Sequence, residues 1–282
     1  MSSDLLISNP RKFENLKRLL QKAGPDSVHV LSDFDRTLIK AFVRGKKVAS
    51  MISVLRNENH LTPDYPQKAE GLFRHYHQIE VDPNLPLAEK KAAMQEWWTR
   101  HFQLLIASGL TQADIEKVVS SPELQLRKGA GDFFGLLNEK NIPLIIMSSS
   151  GLGGGAIVKF LEKEKLNLPN VEVISNQLVW DAKGRLQSVK TPIIHALNKD
   201  ETILKSFPIY EKIRSRKNVI LLGDSPHDLE MVTGFDYASL LTIGFLNEQA
   251  EKNLGNYQRV FDLIITNDGA LSGVNDFFQE LF

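Results

Sequence analysis

Val28-His29-Val30-Leu31-Ser32-Asp33-Phe34-Asp35-Arg36-Thr37 is the stretch from which the fold of this chain is read. Its first five residues are a short, β-branched apolar run of the kind that makes a buried strand, and the run stops at two acids one residue apart. Upstream, residues 9–22 carry helical spacing at Phe13, Leu16, Leu19 and Leu20, and Gly24-Pro25 ends that helix. Downstream of Gly129 the pattern alternates. Asp132–Lys140 reads as helix, Ile142–Met147 as strand, Ala156–Lys165 as helix and Val171–Ile174 as strand. Val179–Val189 reads as a hairpin around Ala182-Lys183-Gly184, and Lys199–Phe207 as a helix. Val219–Leu222 reads as a strand, a helix starts at Asp228–Thr233, and Leu240–Gly244 and Leu263–Thr266 close the series as strands. Strands separated by helices of this length predict an α/β fold, a doubly wound, Rossmann-like parallel sheet with helices on both faces.

Residues 50–128 have another texture: long amphipathic stretches punctuated by Pro63, Pro66, Pro83, Pro86 and Pro122. They predict three to five helices forming a unit inserted after the first sheet strand. The expected organisation is therefore a core of residues 1–40 and 129–282 and a helical cap of residues 41–128.

Composition narrows the function. The 282 residues are 42% hydrophobic and 24% charged, ordinary for a globular protein with a sizeable core. Thirty-four Lys and Arg balance thirty-four Asp and Glu, which argues against a partner such as nucleic acid or an anionic membrane. The absence of cysteine removes disulfides, thiolate metal sites and a cysteine nucleophile. The first residues show no secretory pattern and no apolar run is long enough to span a bilayer, so a cytoplasmic location is expected.

In a parallel sheet, functional groups gather beyond the carboxyl ends of the strands. Those positions hold Asp33-Phe34-Asp35-Arg36-Thr37, Ser148-Ser149-Ser150-Gly151 and Gly223-Asp224-Ser225-Pro226-His227-Asp228. Four carboxylates without thiolate or paired imidazole form a hard oxygen site, for which magnesium is the natural occupant. Asp33 and Asp35 repeat on one side of an extended chain. One can serve as nucleophile on the metal while the other moves a proton. Lys199 supplies the fixed cation that a bound phosphate needs. Taken singly, each motif has a plainer reading: Gly-Asp-Ser-x-x-x-Asp alone is also a turn and a helix cap.

Together, Asp33-x-Asp35-x-Thr37, a strand-end Ser, Lys199 and Gly223-Asp224-x-x-x-Asp228 resemble the haloacid-dehalogenase-type phosphatases. Gln78–Pro83, Glu96–Thr99, Val173–Asn176, Ile194–Lys199 and Val219–Ser225 are similar to the cytosolic pyrimidine 5'-nucleotidases, the cytosolic 5'-nucleotidase III family. That resemblance covers residue 28 to the end, cap included. It implies hydrolysis of nucleoside 5'-monophosphates, UMP and CMP favoured, through an aspartyl-phosphate on Asp33 with Asp35 as acid and base. Magnesium would be held by Asp33, the Asp35 carbonyl and Asp224, braced by Asp228. Lys199 and either Ser148 or Ser149 would hold the phosphoryl group, Glu80 would contact the base, and Thr37 and the His101 position would also belong to the substrate site. Three departures stand out: His101 replaces a Ser, Ser149–Gly155 is glycine-enriched and lacks an Asp, and His227 replaces a small residue. The first two bear on base preference.

Other readings were weighed. Gly151-Leu152-Gly153-Gly154-Gly155 superficially resembles a dinucleotide loop but does not follow the first strand. A serine hydrolase lacks its histidine, and there is no P-loop. Trp97 and Trp98 either stack on a base or pack the cap. Another small phosphate (7-methylguanosine monophosphate or a sugar phosphate) and non-catalytic nucleotide binding are the alternatives, with a monomer as the default.

Overall fold

The computed structural model describes residues 5–48, 50–82, 84–200, 204–205 and 207–282. In chain order its strands are β1 (Leu5–Ile7), β2 (Val28–Ser32), β3 (Phe42–Val43), β4 (Lys46–Lys47), β5 (Leu144–Met147), β6 (Val171–Ile174), β7 (Leu178–Trp180), β8 (Leu186–Val189), β9 (Asn218–Gly223), β10 (Ser239–Leu246) and β11 (Leu263–Thr266). Seven of them make one sheet in the order β1-β11-β10-β9-β2-β5-β6. Every neighbouring pair is parallel except β1 with β11. The expected doubly wound sheet is therefore present, with an antiparallel edge strand added that three residues are too few to announce.

Side chains alternate across this sheet because the strand repeat is two. Val30, Leu144, Ile146, Ile220 and Leu222 enter one apolar cluster. Leu31, Ile145, Met147, Val219 and Leu221 enter a second on the other face. Burial on both faces explains why these strands read as continuous apolar runs. The chain winds outward through β2, β5 and β6 and then returns to place β9 against the free side of β2. A crevice opens beyond the carboxyl ends at that reversal.

Helix α1 (Pro10–Ala23) begins at Asn9, whose side chain accepts from the Lys12 amide, and ends at Gly24, where φ is +73°. The helical segment contributes α2 (Met51–Asn57), α3 (Tyr65–Val81), α4 (Leu87–Ala107) and α5 (Gln112–Ser120), four helices among the described residues. They share the sheet's apolar cluster through Val54, Leu55, Phe102, Ile115 and Val118, while Tyr76 of α3 and Met94 of α4 form a small cluster with Leu197, which lies between β8 and β9. Outbound and return linkers run side by side: Lys40 N–H donates to Gln125 O and Arg127 N–H to Leu38 O, both at 2.9 Å.

Then follow α6 (Ala130–Glu139) and α7 (Gly153–Lys163), three residues ahead of the start expected for α7. The expected hairpin is β7–β8. The helix expected over Lys199–Phe207 falls partly on residues 201–203 and 206, outside the described residues. Pro226–Val232 is a 3-10 segment where an α-helix was expected. Ala250–Gln258 and Ser272–Leu281 are helices that the sequence reading did not mark.

Candidate active site

Asp33 ends β2 and Asp224 ends β9, on adjacent strands at the reversal. Asp228 comes back toward them because Ser225 and Asp228 form a capping box: the Asp228 carboxylate accepts from the Ser225 amide at 3.0 Å. The helix-cap reading of this motif is thus met, by a residue that also belongs to the acidic cluster. Gly223 leaves the room, since a Cβ there would lie 2.5 Å from Asp228 Cβ. One carboxylate oxygen from each of Asp33, Asp224 and Asp228 falls within 4.8 Å of the others. Three hard oxygen donors at that spacing, with no sulfur or imidazole among them, fit magnesium.

Lys199 Nζ donates to Asp33 Oδ1 at 2.7 Å and to Asp228 Oδ1 at 2.9 Å. Arg36 Nε stands 3.2 Å from Asp224 Oδ2, off the line of a hydrogen bond, and Arg36 Nη2 donates to Glu248 at 2.9 Å. Asp35 is not among the three clustered carboxylates. Its Oδ1 accepts from the Met51 amide, the first residue of α2, at 3.3 Å.

Burial sets the protonation of these groups. It pushes Asp33 up to about 6 against the pull of Lys199, with Asp228 adding to the rise. It pushes Asp35 to about 7, helped by the charge on Asp33. Asp224 is raised by burial and by Asp228 and Asp33, with Arg36 opposing. Burial works against the Lys199 ammonium, but Asp228 and Asp33 outweigh it and keep the lysine charged.

These groups line a cavity of about 400 Å³ together with Ser148, Ser149, Ser150 and His227. Its other end is walled by Phe73, His77, Glu80, Trp97 and Trp98 from α3 and α4. Trp97 stacks on Tyr76 with centroids 5.9 Å apart and also faces the cavity, so packing and wall are one side chain's work. Glu80 accepts from His77 Nδ1 at 3.0 Å. A second cavity of about 300 Å³, lined by Gln112, Gly155, Lys159 and Trp180 among others, contains no carboxylate.

Two of the expected site residues do not reach the cavity. Thr37 is buried and its hydroxyl has no hydrogen-bond partner. His101 is buried at the back of the wall, where Nε2 donates to Gly151 O at 3.2 Å and Trp98 meets it edge-on. Burial lowers the His101 pKa to about 4, so the ring is neutral. A Cβ at Gly151 would sit 2.7 Å from that ring nitrogen. The two departures seen in the sequence, a histidine for a serine and a glycine-rich loop, are therefore one contact. Arg36, Phe73 and Ser150 line the cavity without having been singled out; only their nearness to the motifs could have signalled them.

The parallel sheet with acids at its strand ends and a lysine between them is an arrangement suited to phosphoryl chemistry. Residues 36–282 match the pyrimidine 5'-nucleotidase (UMPH-1) family, and the chain belongs to it. The human 7-methylguanosine phosphate-specific 5'-nucleotidase is 32% identical over 282 residues, all of this chain and 93% of the relative. The chicken enzyme of that description is 32% identical over 274 residues, 97% of this chain and 94% of its own. A crystal structure of cytosolic 5'-nucleotidase IIIB bound to cytidine superposes with a TM-score of 0.88 at 28% identity, covering 100% of this chain and 94% of that one. Substrate-bound phosphoserine phosphatase, at 17% identity and a TM-score of 0.55 over 89% of this chain and 97% of its own, shares the fold. Among the described residues no helix is long and apolar enough to cross a membrane.

Proposed function

We propose that this chain is a magnesium-dependent 5'-nucleotidase that hydrolyses nucleoside 5'-monophosphates, with N7-methylated guanine the favoured base. The observation that carries the reading is one cavity with Asp33, Asp35 and Lys199 at one end and an aromatic wall with Glu80 at the other. Phosphate and base of one nucleotide are thereby met together. Magnesium, when bound by Asp33, Asp224 and Asp228, neutralises their charge and that of the phosphoryl group.

Asp33 Oδ attacks phosphorus, and the bond to the ribose 5'-oxygen breaks. The proton on Asp35 passes to that oxygen, which leaves as an alcohol. Asp35, now a carboxylate, takes a proton from water as the water oxygen attacks the aspartyl-phosphate. The bond to Asp33 breaks, inorganic phosphate leaves, and Asp35 is again protonated. Lys199 stays charged throughout and, with Ser148 or Ser149, holds the phosphoryl oxygens. Residues 41–128 act as the cap that supplies the base wall to the core.

N7-methylation puts positive charge on the guanine ring. A cationic ring is attracted to the faces of Trp97 and Phe73 and to the Glu80 carboxylate. The two curated relatives specific for 7-methylguanosine phosphate favour the same base. A second reading, CMP and UMP, is favoured by the cytidine in the similar solved structure. Phosphate release from 7-methylguanosine monophosphate, CMP, UMP, GMP and a sugar phosphate decides between them. The highest kcat/KM is expected for the methylated guanosine, and Glu80→Gln is expected to raise its KM more than that of UMP. Absence of nucleotide turnover with magnesium, or full activity in Asp33→Asn, overturns the reading.

A further inference from the structure

Behind the cavity, on the return linker of the helical segment, Arg127 is 1% exposed. Its guanidinium makes four hydrogen bonds and one ion pair. Nε donates to Thr37 O at 2.7 Å and Nη1 to Gly269 O at 2.8 Å, while the Asp268 carboxylate pairs with Nη1 at 3.1 Å as an ion pair. Nη2 donates to Arg36 O at 2.5 Å and to Asn247 Oδ1 at 3.0 Å. One face lies over the Phe245 ring, 4.5 Å from its centroid. Those acceptors come from the loops that follow β2, β10 and β11.

The Arg36 carbonyl is held twice, because Asn247 Nδ2 also donates to it at 2.9 Å. Arg36 has φ of +61°, left-handed backbone that a side chain other than glycine's disfavours. The residue before this turn is Asp35. Its carboxylate is aimed by the direction in which the chain leaves Asp33, and that direction is fixed at Arg36. Replacing a buried charge by a well-packed apolar side chain is often neutral or stabilising, so stability is a weak reason to bury an arginine here. A rigid fork that ties the strained turn at Arg36 to the loops after β10 and β11 is a reason of geometry.

We propose that Arg127, together with Asn247, is a positioning residue for Asp35: it clamps the left-handed turn at Arg36 from outside the cavity and so aims the group that protonates the leaving alcohol. Neither residue touches the substrate. The proposal rests on the phosphatase reading above, and the test separates the two.

The discriminating comparison is kcat/KM, which reports transfer to Asp33, for a nucleoside 5'-monophosphate and for p-nitrophenyl phosphate. A ribose alkoxide needs a proton to leave, whereas nitrophenolate leaves as a stable anion. In Arg127→Lys and Asn247→Ala, kcat/KM for the nucleotide is expected to fall by about 30-fold or more and that for the aryl phosphate by less than about threefold, as misplacing a general acid requires. A purely structural role lowers the amount of active enzyme and reduces both alike. Equal factors for the two substrates, or no change in a folded variant, overturn the proposal. Should Arg127→Lys fail to fold, Asn247→Ala decides alone, since it leaves the Thr37, Gly269 and Phe245 contacts of Arg127 in place. Wild-type protein inert toward both substrates would instead remove the phosphatase reading itself.

Discussion

Lys199 Nζ lies 2.7 Å from Asp33 Oδ1, with both side chains nearly out of solvent and 166 residues apart in the chain. Asp33 and the cation that balances it thus come from distant parts of the chain. Folding is what makes them a pair.

Lys199→Met should abolish most activity, with at least about a 100-fold loss in kcat for a fixed cation removed from the phosphoryl site. Without metal, it leaves Asp33 and Asp228 buried beside each other and uncompensated, a cost on the order of 3 kcal/mol. Thermal melting in chelator and in excess magnesium checks this. The variant should lose more stability in chelator than in magnesium, and an equal loss in both would contradict the pairing.

Gly223→Ala tests the metal site through backbone space. The added Cβ would meet Asp228 at 2.5 Å, so that carboxylate must move out of the triad. Wild-type protein should melt higher as magnesium is added, because the ion binds only the folded site. The variant should show little of that rise and little turnover. A wild-type magnesium response in a folded Gly223→Ala protein would remove Asp228 from the ligand set.

His101 and Gly151 give a double-mutant test of the base wall. Gly151→Ala places a methyl 2.7 Å from His101 Nε2 and is expected to cost about 1–3 kcal/mol by overpacking. His101→Ser should recover most of that cost when combined with it, since the residues are in contact. Additive effects in urea unfolding would show that the two departures are independent.

His29 gives stability a defined pH dependence. Burial lowers its pKa to about 4, while the Arg216 carbonyl at 2.9 Å holds the Nδ1 proton. In the unfolded chain the ring takes up a proton below about pH 6.5, and in the folded chain only near 4. Its contribution therefore weakens as pH falls through that window. Relative to His29→Leu, wild type should lose roughly 2 kcal/mol between pH 7 and pH 5. Parallel stability profiles for the two proteins would refute this.

The strands that carry the chemistry were legible because burial on both faces leaves unbroken apolar runs, and the acids that end them are set by register alone. Asp33 and Asp224 needed no tertiary information beyond the parallel sheet, whereas Asp228 reaches them through its capping box with Ser225 and Lys199 was read only alongside the acids. Thr37 and His101 show the limit. Whether a side chain faces the cavity or its back wall depends on a turn at Arg36 and on space at Gly151, which no periodicity encodes. Arg127 was illegible for the same reason. Three of its four hydrogen-bond acceptors are backbone carbonyls, and a carbonyl has no letter in the sequence. Helices Ala250–Gln258 and Ser272–Leu281 went unmarked because the first buries no residue and the second follows a loop without a strong cap.

Strand β1 adds nothing to the cavity, yet it has a bearing on how the protein behaves in concentrated solution. Leu5–Ile7 covers the outer side of β11, whose four residues, Leu263–Thr266, are all buried. Without that cover β11 would present open amide and carbonyl groups on an apolar strand, the template on which sheets of separate molecules join. Three residues at the margin of the fold thus guard against self-association, and a shortened chain that kept every group of the site would be expected to precipitate before it lost its chemistry.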